Sequence, residues 1–151
     1  MANKQNADQF KLLKQQGVDG KVTPILLTGA ECESFTSQLF GPSLTIKGEL
    51  LVLDLHYRMT GHHQSYWKYY ELSNGGFYIA PKTDEHLNIT CRVNDFVDLL
   101  TPDASGIVAT LLALENLFDA FDDVHLSTMY GKLKDFAQGH SEEAKILCAI
   151  Y

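Results

Sequence analysis

Three stretches in the first two-thirds of the chain have the hydrophobic pattern of β-strands. Residues 66–72 and 77–80 (YWKYYEL and FYIA) are rich in aromatic residues and flank Ser-Asn-Gly-Gly at residues 73–76. That tetrapeptide supplies the positive-φ positions of a tight hairpin turn. Residues 86–93 (HLNITCRV) place an apolar side chain at every second position from Leu87 to Val93. The aromatic hairpin and this alternating segment together predict an antiparallel sheet of three strands with one buried face.

Helical patterns dominate the last third of the chain. Thr101, Pro102 and Asp103 predict a helix start with a hydroxyl cap, a proline in the first turn and an acid near the positive end of the dipole. In the helix predicted over residues 107–121, apolar residues occur on almost every side, which indicates a buried central helix. Further helices are predicted over residues 30–40, over 126–138 with Gly139 behind it, and from a Ser141 cap through residue 149.

Two other stretches give weaker patterns. Residues 22–27 form a short β-like run broken by Pro24. Residues 49–59 (ELLVLDLHYRM) fit both the two-residue period of a strand and the 3.6-residue period of a helix. In the latter, every second residue from Leu51 to Met59 is apolar, whereas Leu51, Leu55 and Met59 also share one helical stripe. Periodicity leaves that segment open. The whole pattern predicts an α+β fold, with a small antiparallel three-stranded sheet and several helices packed around it.

Length and composition add a domain division and exclude some partners. The chain has 151 residues, and we expect residues 21–151 to form one domain behind a flexible or short-helical segment over residues 1–20. A net charge of −7, with 12 basic residues scattered among 19 acidic ones, argues against direct nucleic-acid binding. The absence of a signal-peptide pattern, of a membrane-length apolar run and of CxxC spacing predicts a cytoplasmic protein with reduced thiols and no membrane contact.

Candidate chemistry is sparse. The histidines offer no HxxxH or HxxE spacing, and no Ser or Cys sits in a nucleophile elbow, so we expect no catalytic residue, metal or cofactor. Two alternatives stay open. His62 and His63 could serve a small hydrolase, and the acids Asp119, Asp122 and Asp123 could imitate DNA, although such short clusters are typical of a solvated helix face.

The aromatic hairpin is the remaining candidate surface. Its first strand places Tyr66, Lys68 and Tyr70 on one face and Trp67, Tyr69 and Glu71 on the other. If one face packs on the helices, the other exposes rings that could stack on bases or anchor a protein partner. The basic groove that base stacking favours is missing, so a protein contact fits better than base stacking. A packed core without a binding role is the third interpretation, and it stays open.

Three segments together resemble one known family, in the same order over residues 36–151. YWKYYELSNGGFYIAP at 66–81, DASGIVATLLALENL at 103–117 and YGKLKDFAQGHSEEAKILCAIY at 130–151 resemble the ArdB/KlcA antirestriction family. Leu39-Phe40-Gly41 resembles the family's upstream Phe-Gly. Two departures stand out: residues 62–65 replace the family's Tyr-x-Gly-Gly, and Tyr151 stands where the family ends in Asp.

The resemblance implies a helix over residues 49–59 and a non-enzymatic inhibitor of Type I restriction-modification enzymes that protects incoming mobile-element DNA. The expected partner is the Type I complex, reached directly or indirectly. A mimic in the enzyme's DNA site and the His-dependent hydrolase are the alternatives. We expect the contact surface to be built on the hairpin, with these binding residues: Trp67, Tyr69, Tyr70, Asn74, Gly75 and Gly76.

Overall fold

The computed structural model describes residues 21–151, and the prediction for residues 1–20 lies outside them. Within that range the fold is α+β, with five helices and two antiparallel sheets. The strands are β1 (Pro24–Leu26), β2 (Trp67–Leu72), β3 (Phe77–Pro81), β4 (Leu87–Cys91) and β5 (Phe96–Leu100). The helices are α1 (Glu31–Phe40), α2 (Thr45–Thr60), α3 (Pro102–Phe121), α4 (Val124–Ala137) and α5 (Glu143–Ile150).

The predicted aromatic hairpin is confirmed as β2 and β3, with Glu71 opposite Phe77 beside the turn. Its turn is a three-residue loop closed by two backbone hydrogen bonds. The Leu72 N–H donates to the Gly76 carbonyl at 2.7 Å, and the Gly75 N–H donates to the Leu72 carbonyl at 2.9 Å. Gly75 has φ +86°, the left-handed position that such a loop requires.

The third strand of this sheet is not the one that alternation predicted. β1 pairs with β2, placing Leu26 opposite Tyr70, whereas β4 pairs with β5 in a separate two-stranded sheet. β1 is an edge strand that begins with Pro24, and an edge tolerates a residue without an N–H. β5 was missed altogether because its sequence, FVDLL, has no clear alternation.

Helix α3 explains why β4 cannot join the first sheet. A Cβ on Gly106 would lie 2.2 Å from the Ile79 carbonyl oxygen, so α3 and the free edge of β3 touch backbone to backbone. The Thr110 hydroxyl donates to the Gly106 carbonyl at 2.8 Å and accepts the Ile79 N–H at 3.3 Å. The helix therefore occupies the edge that another strand would need.

The core lies around α3, whose residues from Ala104 through Leu111 are all buried. This helix is long and apolar enough to cross a membrane by length and composition alone, yet most of it lies inside the fold. On the two faces of the first sheet, Phe35 of α1 contacts Tyr69 and Phe77, and Phe136 of α4 stacks on Tyr78. The aromatic hairpin is thus packed from both sides.

The remaining helices agree with prediction except at one end. Residues 49–59 lie in α2, as the resemblance implied, and Gly61 at φ +75° ends that helix. The expected Ser141 cap is wrong, because α5 begins at Glu143 with Glu142 before it. The Glu142 carboxylate instead bonds to Thr101, at the start of α3.

Candidate functional site

The six predicted binding residues are distributed over both faces of β2 and the turn. Trp67 and Tyr69 face α2: the indole N–H donates to the Gln64 carbonyl at 3.2 Å, and the Tyr69 hydroxyl donates to Glu49 at 2.7 Å. The Trp67 ring also meets the buried His56 ring edge-to-face, with centroids 5.1 Å apart. Both rings serve internal contacts, and both are half-buried.

Tyr70 lies on the opposite face of the sheet. Its ring stacks on Tyr78 at 4.8 Å, and Tyr78 in turn stacks on Phe136 at 5.5 Å. Burial, and then the nearby Asp103 carboxylate, raise the pKa of Tyr70 above its ordinary value. This stack joins the hairpin to α4.

The predicted exposed face of aromatic rings is not formed. Tyr66, just before β2, is 73% exposed, whereas the rings within the hairpin are half-buried or buried. Helices cover both sides of the sheet, which alternation within one segment cannot reveal. As binding residues, the six positions remain a prediction.

The turn residues are brought together at the tip of the hairpin, against α4. The Asn74 amide oxygen accepts the Gly76 N–H at 2.9 Å, and its amide NH₂ donates to the Lys132 carbonyl at 2.8 Å. Asn74 therefore shapes the turn and also attaches it to a helix. Gly75 and Asn74 keep part of their surface exposed, whereas Gly76 is buried.

A polar network that the sequence analysis missed lies at the start of α3. Asp103 accepts the Tyr78 hydroxyl at 2.6 Å and the His140 Nε2–H at 2.8 Å. The Glu142 backbone N–H donates to His140 Nδ1 at 3.0 Å. This pattern requires the imidazole tautomer that carries its proton on Nε2. Burial and the Asp103 charge raise the pKa of Tyr78 far above its ordinary value, so its hydroxyl keeps its proton and donates.

The same network joins the three segments that carry the family resemblance. Tyr78 comes from the hairpin segment, Asp103 from the helix start, and His140 with Glu142 from the closing segment. Glu142 extends it by accepting the Thr101 N–H at 3.0 Å and also the Thr101 hydroxyl. Nothing in the spacing along the chain predicts these pairs; only the joint presence of the three segments could have pointed to them.

Several residues that would carry the two alternative functions, hydrolysis and DNA mimicry, make contacts with neighbours in the sequence. The His63 ring stacks on Tyr57 with centroids 4.0 Å apart, and both side chains are exposed. Asp122, at φ +49°, ends α3, and the Asp123 carboxylate caps α4 by accepting the His125 N–H at 2.8 Å. Within residues 21–151, no three His, Cys, Asp or Glu side chains are grouped as a metal ion would require.

Comparison with known proteins places this fold and its motif segments in one family. A family model described as "Antirestriction protein" matches residues 60–151. The chain is 42% identical over 139 residues to the antirestriction protein KlcA of Escherichia coli, covering 87% of this chain and 96% of that protein. A second Escherichia coli KlcA is 42% identical over 123 residues, 77% of this chain and 84% of that protein. The chain belongs to the ArdB/KlcA antirestriction family.

A solved structure shares the fold at a TM-score of 0.79 and 41% identity, over 86% of this chain and 95% of the other. It comes from work on the KlcA and ArdB proteins, described as having a novel fold and antirestriction activity against Type I DNA restriction systems in vivo but not in vitro.

Proposed function

We propose that this protein protects incoming mobile-element DNA from Type I restriction-modification enzymes, acting in the cytoplasm as an inhibitor without catalytic activity. The observation that carries the proposal is the 42% identity to KlcA along 96% of that protein. The in vivo activity of its relatives, absent in vitro, favours an indirect route through another cellular component.

The Asp103 network supports a role without catalysis. One ring nitrogen of His140 donates to Asp103 and the other accepts the Glu142 N–H, so neither is free to take a proton from a substrate. Tyr78 is fully buried and its hydroxyl is already donated to Asp103. The network holds together the aromatic hairpin, the start of α3 and the segment just before α5.

We assign the predicted binding residues two different tasks. Trp67, Tyr69 and Tyr70 hold the hairpin on the helices through the internal contacts described above. Asn74, Gly75 and Gly76 set the shape of the tip, which carries the contact with a protein partner. A partner with few exposed phosphates suits this acidic chain better than DNA does, given its net charge of −7.

The decisive test is phage plating on a host with an active Type I system. We expect expression of the protein to raise the plating efficiency of unmodified phage, and normal restriction in its presence would refute the proposal. A purified restriction assay run in parallel distinguishes the two routes. Inhibition at equimolar protein would show direct contact with the enzyme and overturn the indirect route.

Two variant sets test the alternatives in the same host. Replacing Asp119, Asp122 and Asp123 by Asn removes three charges but retains residues that can cap helices and adopt positive φ. Loss of protection in this folded variant would favour DNA mimicry. The double variant His62→Ala, His63→Ala should protect as well as the parent protein, and its failure would favour the hydrolase.

A further inference from the structure

A cleft of about 500 Å³ opens beside the hairpin tip, where β3, α1 and α4 meet. Its apolar floor includes the buried side chains of Phe77 and Met129. Gly75 forms one wall, and the loop after α1 forms another. Other residues that line it are Ser37, Gln38, Gly41, Pro42, Glu71, Asp123 and His125.

Glu71 is the unusual member of this lining. It lies directly across the hairpin from Phe77 and is half-buried, and its side-chain carboxylate has no hydrogen bond or ion pair with any residue in the range 21–151. Burial, and then repulsion from Glu31 of α1, raise the pKa of its carboxyl above the ordinary value. A carboxylate that is partly removed from water without a partner is destabilised, and a bound cation would relieve that cost.

The other charges around the cleft favour the same kind of ligand. Asp123 adds a second carboxylate to the lining, to which residues 21–151 contribute no Lys or Arg. The His125 Nε2–H donates to the Gln38 carbonyl at 2.8 Å, so this ring does not point a donor at the carboxylates through that nitrogen. One cation is near: the Lys132 ammonium lies 3.1 Å from where a Cβ on Gly75 would stand.

We propose that this cleft binds an arginine side chain of a protein partner, with the guanidinium on Glu71 and the aliphatic stem on Phe77 and Met129. Arginine fits better than lysine because its planar, weakly hydrated head pairs with a carboxylate through two parallel bonds and tolerates an apolar setting. The inference rests on the proposed function only in taking a protein as the source of the arginine.

The binding test is an amide NMR titration of the full chain with N-acetyl-arginine amide. N-acetyl-citrulline amide is the matched neutral probe, because it keeps the shape and loses the charge. We expect saturable shifts at Gly75, Phe77 and Met129 with the arginine compound alone. Equal shifts with citrulline, or shifts spread over all acidic surfaces, would overturn the proposal.

Three variants sharpen the titration. Glu71→Gln should weaken arginine binding at least about tenfold, whereas Glu85→Gln, at an exposed acid outside this cleft, should leave it unchanged. Lys132→Gln should strengthen it, because it removes the nearby positive charge. If Glu71→Gln retains its thermal stability and binds arginine as well as the parent does, the site is wrongly assigned.

Phage plating separates this inference from the proposed function. If the parent protein protects and Glu71→Gln does not, the cleft is the functional contact; equal protection by both proteins overturns that assignment. If the parent does not protect but binds arginine through Glu71, the proposed function fails and the site stands. Self-association that is lost in Glu71→Gln would assign the cleft to an arginine of a second copy and overturn the choice of partner.

Discussion

The two hairpins, β2–β3 and β4–β5, are attached to helices by the same arrangement but lie in different environments. Asn74 and Asn94 occupy the two turns, and each amide oxygen accepts the N–H two residues further on, at 2.9 and 3.2 Å. Each amide NH₂ donates to a helix carbonyl, Lys132 at 2.8 Å and Ala149 at 2.7 Å. One asparagine therefore both forms the turn and anchors it, in each hairpin.

Burial distinguishes the two hairpins. β2–β3 is covered by helices on both faces, and α3 covers its free edge. In β4–β5, Ile89 and Leu100 are fully buried on one face, while Val97 is 71% exposed on the other. The β4–β5 hairpin thus has one buried face and one exposed face, as an alternating strand pattern predicts, whereas the aromatic hairpin is covered on both faces. Alternation describes a strand's own two faces, and the number of layers packed on them is a property of the rest of the chain.

The largest effect should come from the contact between α3 and β3. Gly106→Ala places a methyl group 2.2 Å from the Ile79 carbonyl oxygen and 2.4 Å from the Ala80 Cα, atoms that cannot move separately from the sheet. We expect a loss of about 3 kcal/mol in the free energy of unfolding, measured by urea denaturation. Gly131→Ala in α4, where a Cβ meets nothing within 4 Å, should gain up to about 1 kcal/mol. Equal effects would refute the close approach.

A comparable effect should appear as a pH dependence through His56, which packs on Trp67. Burial lowers the pKa of His56 from 6.5 to about 4, and its Nδ1 has no hydrogen-bond partner among the described residues. The unfolded chain therefore gains this proton near pH 6.5 and the folded protein only near pH 4. Stability should fall between these values as the pH is lowered, by about 3 kcal/mol.

The control for this pH dependence is a pair of variants compared by urea denaturation at several pH values. His56→Gln should flatten the difference between pH 7 and pH 4, since the group that titrates is gone. His62→Gln, at an exposed position, should keep the parent's pH profile. An unchanged profile in His56→Gln would assign the pH dependence to other groups.

A smaller loss is expected when the hairpin is detached from the Asp103 network. Tyr78→Phe keeps the ring stack but removes the hydroxyl that donates to Asp103 at 2.6 Å. A hydrogen bond to a charged group makes the expected loss about 2 kcal/mol, measured as unfolding free energy. Tyr66→Phe, on a ring that is 73% exposed, should stay within about 0.5 kcal/mol of the parent. A silent Tyr78→Phe would contradict the role assigned to the network.

The smallest effect should come from the exposed face of the β4–β5 hairpin, and a substitution on its buried face is the control. Val97→Thr changes an exposed side chain and should alter the unfolding free energy by less than about 0.5 kcal/mol. Ile89→Thr puts a hydroxyl into the core from the buried face and should cost at least about 2 kcal/mol. A large loss in Val97→Thr would indicate that something covers the exposed face in solution.

Local signals predicted the elements well and their assembly poorly. Thr101 does cap α3, with its hydroxyl accepting the Ala104 N–H at 3.2 Å, and Gly75 does form the hairpin turn. Both depend on neighbours within a few residues. The identity of the third strand was wrong, because pairing also depends on which sheet edges are free, and α3 occupies the one beside β3.

The candidate site also has a part that local sequence signals predict and a part that they do not. The hairpin tip could be located from Asn74 and Gly75, since turn chemistry is local. The Asp103 contacts span 25 residues to Tyr78 and 37 residues to His140, and no periodicity links such distant positions. The partly buried Glu71 was equally hidden, because its burial depends on α1 and α4.

By itself, the sequence determined the cap of α3 at Thr101, the hairpin turn at Gly75 and, through three motif segments, the family of the protein. Tertiary structure alone decided which faces of the aromatic hairpin are covered, which strand pairs with it, and which carboxylates accept hydrogen bonds from distant residues. The physical reason is range: caps and turns are satisfied by hydrogen bonds between near neighbours, whereas burial and long-range pairing are settled only when the helices pack.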